Sequence, residues 1–140
     1  MRKTVTMDTH ATDLVQLYRR AETYLDRGAP LAALETLAPI EQDIAQTASG
    51  QLLLARAYYH SAQLTRAERA FSRLVERDPS DDYARFALGR TLHRQNRLAE
   101  AAAHYRIAVA LSDRAEYRDW LDEVTFLLAD AAGGSRRAVA

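Results

Sequence analysis

The 140-residue sequence is 48% hydrophobic and 27% charged, and its 19 basic side chains balance 19 acidic ones. A chain of this length buries roughly two thirds of its unfolded surface in one body, so one domain is expected; zero net charge gives no bulk attraction to nucleic acid or to a membrane. Cysteine is absent, which excludes disulfide staples, thiolate metal sites and cysteine nucleophiles together.

The N-terminal stretch MRKTVTMDTHATDLVQLYRR opens with two basic residues but lacks the apolar run of a signal peptide, so a cytoplasmic location is the expectation. No run of about eighteen apolar residues occurs anywhere, so no membrane-spanning helix is expected. Of the basic residues only Lys3 is a lysine, a skew that runs through all polar stretches and reads as base composition rather than function. Residues 1–12 are expected to form a flexible tail.

From about residue 14 the sequence repeats itself with a period of 34. Leu54 aligns with Leu88, Ala55 with Gly89, Arg56 with Arg90, Ala67 with Ala101 and Phe71 with Tyr105; a weaker first copy places Ala21 under Ala55, Tyr24 under Tyr58, Ala33 under Ala67 and Leu37 under Phe71. The units run 14–47, 48–81 and 82–113. Within each, apolar residues recur at helical spacing with a break in the middle, the pattern of a helix hairpin. Small residues at Ala21, Ala55 and Gly89, and at Ala33, Ala67 and Ala101, allow the paired helices to approach closely. Gly28 and Asn96 fall at the same place in the turn, and both tolerate the left-handed conformation that ends a helix. Pro39 cannot donate to the carbonyl of Glu35, so the second helix of the first unit should bend or shorten there. After the third unit, Asp113 and Glu116 resemble a capping box, Tyr117, Trp120, Leu121, Val124, Leu127 and Leu128 line one helical face, and Gly133 and Gly134 are expected to end the helix. The capping helix is placed at 114–132, and residues 133–140 are expected to be a second flexible tail.

The 34-residue unit, the Leu88-Gly89 pair on the first helix, Ala101, Tyr105 and Ala108 on the second, and Pro79 at the exit of the second unit resemble the tetratricopeptide repeat family. The resemblance covers residues 14–113. It implies an all-α, right-handed superhelical solenoid of antiparallel helix hairpins, about seven helices with the terminal one included, in a single domain over 13–132. It also implies a concave groove lined by the first helices, which would hold a segment of another protein. By helical phase the groove would take Tyr18, Glu22 and Asp26 from the first unit, Leu52, Arg56, Tyr59 and His60 from the second, and Tyr83, Phe86, Arg90, His93 and Arg94 from the third. Arginine beside aromatic faces suits an extended or helical partner with acidic character, since guanidinium groups take carboxylates bidentately and aromatic rings add rigid apolar area. Arg56 and Arg90 could equally be solvated helix residues paired with nearby carboxylates, and Tyr59, Tyr83 and Phe86 could be packing residues.

The family's chaperone-binding subclass clamps a C-terminal carboxylate with Lys, Asn and Arg. The matching positions here are Tyr18, Glu22, Leu53, Tyr83 and Ala87, so that clamp is absent. Catalysis finds no support: no phosphate loop, nucleophile elbow or dinucleotide glycine pattern appears. The histidines His10, His60, His93 and His104 lack the spacing of a metal site, and DPSDDY puts Tyr83 where a calcium loop needs glycine. No metal and no cofactor are expected. The leading reading is a non-catalytic interaction adaptor. The alternative is a structural subunit that self-associates, or docks in a larger assembly, through Trp120, Phe126 and the terminal helix, with an exposed Phe126 as its sign. Nucleic-acid binding is disfavoured because Glu22 and Asp26 would repel phosphates.

Overall fold

The computed structural model describes the backbone of residues 2–139 and the side chains of residues 11–134. Among these residues it contains helices and turns and no strand. In chain order the helices are α1 (Arg2–Asp26), α2 (Pro30–Leu37), a 3₁₀ turn (Ala38–Ile40), α3 (Glu41–Ile44), α4 (Ala48–His60), α5 (Leu64–Arg77), α6 (Asp82–Arg94), α7 (Leu98–Leu111) and α8 (Ala115–Val139). Taking α2, the 3₁₀ turn and α3 as one interrupted helix gives the expected seven.

The repeat is written in the backbone. Gly28, Ala62 and Asn96, each 34 residues after the last, have φ of 76°, 60° and 60°. Each donates its N–H to the carbonyl three residues back, and the next residue donates to the carbonyl five before itself: Ala29 to Tyr24, Gln63 to Tyr58, Arg97 to Leu92. These are three copies of one left-handed helix stop, in which the turn satisfies carbonyls that the ended helix leaves open. The helix starts repeat too. Thr47 caps α4 by accepting from Gly50 N, and 34 residues on Asp81 caps α6 by accepting from Ala84 N, both at 3.0 Å.

The chain divides into two compact units, residues 1–63 and 64–140, where the sequence reading draws one domain; the boundary follows the turn at Ala62, inside the second repeat. In the first unit α1 packs on α2, and α2 and α3 pack on α4. Its core is Ala21, Leu25, Ala33, Leu37, Ile40, Ile44, Leu53, Leu54 and Ala57. As Pro39 requires, the second helix breaks into 3₁₀ geometry at residues 38–40 and resumes as the single turn of α3. The second unit is the sequence α5 on α6, α6 on α7, α7 on α8. Its large buried side chains are Phe71, Leu92, Tyr105, Tyr117 and Val124, and buried Ala67, Gly89 and Ala101 are the small residues that the close approach demands.

Two expectations at the C-terminal end need correction. Helix α8 does not stop at Gly133 and Gly134 but runs through them; neither glycine takes a positive φ, so neither acts as a helix stop. Asp113 does not cap α8, which begins two residues later; its carboxylate instead pairs with Arg118. Most of the tails expected at 1–12 and 133–140 lies outside the residues with described side chains.

Candidate functional site

In the first unit, α1 and the start of α4 enclose a cleft of about 420 Å³. Leu14, Val15, Tyr18 and Ile44 supply its apolar wall, with Arg19, Glu22, Asp43, Thr47 and Ser49 as the polar lining. Tyr18 and Glu22 both line this cleft, and the Tyr18 hydroxyl donates to the Ser49 carbonyl at 3.2 Å, tying α1 to α4. Asp26 is exposed at the last position of α1. Along α4, Leu52, Arg56 and Tyr59 are half-buried and share one face, while His60 is exposed with its ring edge-on to Tyr59 at 5.2 Å. None of these four lines the cleft.

In the second unit the expected surface is partly covered. Tyr83 and Arg94 are exposed. Phe86 is not a surface residue: it is 6% exposed, stacked on Tyr117 of α8 at 4.4 Å and tilted against Tyr105 of α7 at 5.6 Å. Trp120, read from the sequence as a docking residue, is also engaged. The Arg90 guanidinium lies 3.4 Å above its ring, and the His93 ring meets it edge-on at 5.6 Å. These contacts climb both helices in the same direction, from Asp82 and Tyr117, through Phe86 and Tyr117, to Arg90, His93 and Trp120. Helix α8 therefore lies parallel to α6, as the first helix of a further repeat would. Of the two residues proposed for docking, only Phe126 remains available, at 67% exposure.

The electrostatics follow from this cover. Burial, and secondarily the positive charge of Arg90, lower the pKa of His93 against the opposing pull of Glu123; its Nδ1 lies 3.1 Å from the Tyr105 hydroxyl. Burial also holds the Tyr117 phenol above its ordinary range, reinforced by the hydrogen bond that its hydroxyl donates to Asp82 at 2.7 Å. A polar group that helical phase did not reveal joins α5, the α6–α7 turn and α7. Arg97 bridges Glu68 at 2.6 Å and Glu100 at 2.7 Å, and Gln95 donates to Glu68 at 3.0 Å. Beside it, Arg85 Nε and His104 Nδ1 are buried with no hydrogen-bond partner among the described residues.

Among the described residues, no three His, Cys, Asp or Glu side chains are grouped to hold a metal ion, and no helix is long and apolar enough to cross a membrane. What each unit offers is surface on its first helices: the apolar cleft with Arg56 and Tyr59 in the first, and Tyr83 and Arg94 in the second.

No curated protein matches the sequence. Among solved structures, the first TPR of Spaghetti (RPAP3), bound to the HSP90 peptide SRMEEVD, superposes with a TM-score of 0.75 at 18% identity, over 84% of this chain and 94% of that one. The Yersinia enterocolitica type III secretion chaperone SycD, in complex with a peptide of the translocator YopD, gives 0.67 at 20% identity over 87% and 94%. MamA gives 0.68 at 16% identity over 97% and 86%. Residues 52–116 match the family model described as Tetratricopeptide repeat. The likeness to the tetratricopeptide repeat family is thus carried by residues 52–116, and the fold, with its 34-residue period marked by three like helix stops, is that of solved TPR domains.

Proposed function

We propose that the protein is a non-catalytic interaction adaptor that holds a segment of another protein on the exposed faces of its first helices, and that the segment is extended or helical with acidic character. The observation that carries the reading is the chemistry of those faces. Within the first unit Arg56 and Tyr59 share a face of α4, and within the second Tyr83 and Arg94 are exposed on α6, so each unit offers a guanidinium group and a tyrosine on a first helix. The structural relatives solved with an HSP90 peptide and with a YopD peptide support it, because the same fold holds a peptide in each. Phe86 drops out of the proposed surface, and Arg90 contributes from its place over Trp120. A cytoplasmic location is part of the proposal.

Co-purification from native extract, read by mass spectrometry, tests it with an Arg56→Glu, Arg94→Glu variant whose helical circular dichroism matches the wild type. Arg94 replaces the more obvious Arg90 because reversing Arg90 would also unseat α8. A protein retained by the wild type and lost by the variant supports the reading, provided that a labelled acidic peptide from that protein binds in fluorescence anisotropy. Equal retention by both chains overturns it.

A further inference from the structure

Helix α8 occupies the position of a first helix but has no second helix behind it. On α6, the residues Leu88, Gly89 and Leu92 are buried, with Gly89 against the Tyr105 ring of α7. The positions 34 residues later on α8 are Asp122, Glu123 and Phe126, and all three are exposed, as are Asp119 and Asp130 beside them. The face that would carry a hairpin partner is thus acidic, with one large apolar side chain at its centre. Among the described residues no ion pair engages Asp119, Asp122 or Asp130.

The complement stands in the same unit. Helix α5 carries Arg66, Arg69, Arg73 and Arg77, all exposed. Steps of three, four and four residues place them within one narrow arc, roughly 16 Å long at 1.5 Å per residue. Asp119, Asp122, Phe126 and Asp130 follow one another by the same three steps. Two helices laid side by side with matching steps put Arg69 opposite Asp122 and set Arg73 against the Phe126 ring, a favourable arrangement for a guanidinium and an aromatic face.

We propose that the occupant of the α8 outer face is a second copy of this chain, which docks through the arginine stripe of its α5. Zero net charge removes any general repulsion between copies, so local complementarity decides. The two surfaces differ, so the contact is heterologous: each copy that joins leaves one α5 and one α8 open, and association continues head to tail or closes into a ring. The contact is weak and salt-sensitive, because exposed ion pairs are individually small and are screened over about 10 Å at 0.1 M salt but about 3 Å at 1 M. This proposal does not depend on a partner segment at α4 and α6, and its test leaves Arg56 and Arg94 untouched.

Sedimentation velocity over a range of protein concentrations provides the test. The wild type should grow beyond the monomer at about 0.1 M salt and revert at about 1 M. An Asp119→Arg, Asp122→Arg variant and an Arg69→Glu, Arg73→Glu variant should each associate about tenfold more weakly or worse. An equimolar mixture of the two should recover association into pairs, since the unchanged α5 of the first variant then meets the unchanged α8 of the second. Phe126→Ser, which leaves every charge in place, should weaken association by a smaller factor. A wild type that stays monomeric at low salt, variants that associate as the wild type does, or a mixture that recovers nothing each overturns the proposal; the first of these leaves the α8 face to a different protein.

Discussion

The first and third repeats solve the same problem by different means. Each must bring two stretches of chain closer than a side chain allows, and each relies on a glycine, the first on Gly50 just past its exit, at the start of α4. In the first, the second helix is broken at Pro39, and the chain returns so tightly that a Cβ on Gly50 would lie 2.0 Å from the Ile44 carbonyl oxygen. In the third, α7 is continuous, and a Cβ on Gly89 would lie 2.7 Å from the Tyr105 ring. One glycine opposes backbone and the other a side chain. The interrupted repeat is thus held at its exit by main-chain geometry, and the regular one by packing between helices.

Gly50→Ala should break the first arrangement and have the largest effect. The Ile44 carbonyl cannot retreat, because it accepts from both the N–H and the hydroxyl of Thr47, at 3.0 and 2.9 Å. The same Thr47 caps α4. A loss of about 3 kcal/mol or more is expected, measured as a lower midpoint in urea. Gly89→Ala should cost about 2 kcal/mol. The Tyr105 ring can give a little, but it is fully buried, packed against Phe86 and bonded to His93. If the two losses came out in the reverse order, the contrast between a backbone lock and a side-chain contact would be wrong.

The turns sharpen the comparison, because there the repeats agree and one residue does not. Gly28 and Asn96 suit a positive φ, but Ala62 holds the same conformation with a Cβ. The left-handed region costs an alanine about 1 kcal/mol. Ala62→Gly should therefore raise the stability, read from the urea midpoint and slope, by up to that amount, less what glycine adds to the freedom of the unfolded chain. The residue also marks the limit of reading turns from composition. Gly28 and Asn96 announce the turn; Ala62 carries no such signal, and only the period of 34 places it.

Much of the fold was legible because its demands are local and repeat: small residues at helix crossings, Pro39 as a helix break, left-handed stops. The surface was less legible, because helical phase fixes which side a residue faces but not what lies there. Phe86, Arg90 and His93, which helical phase put in a groove, lie beneath α8, and its Trp120 was itself read as a docking residue. A groove position and a position under the next first helix differ by less than one turn. The stripe Tyr117, Trp120 and Val124 held the missing information, since an aromatic stripe on a terminal helix must cover something on the repeat before it. The two glycines near the end of α8 misled for the converse reason: glycine permits a stop but compels none.

The smallest expected effect separates the two compact units by pH. His93 and His104, both in the second unit, have their pKa values lowered below the ordinary 6.5, chiefly by burial. Arg90 adds to this at His93 while Glu123 opposes it; Arg85 adds to it at His104 while Glu100 and Glu68 oppose it. The unfolded chain therefore binds more protons than the folded one as pH falls through the histidine range, so stability rises with pH. The contribution is complete above the unfolded value of 6.5 and is lost as pH drops through the lowered folded values. Amide hydrogen exchange between about pH 8 and pH 5, corrected for intrinsic rates, should show protection in α6 and α7 weakening at the acid end. A His93→Gln, His104→Gln chain, which keeps polar side chains but cannot take up the protons, should lose most of that slope. If the acid-side loss persisted in the variant, the carboxylates around Arg97 would be its source, and burial of the two imidazoles would not be what distinguishes the regular repeat from the interrupted one.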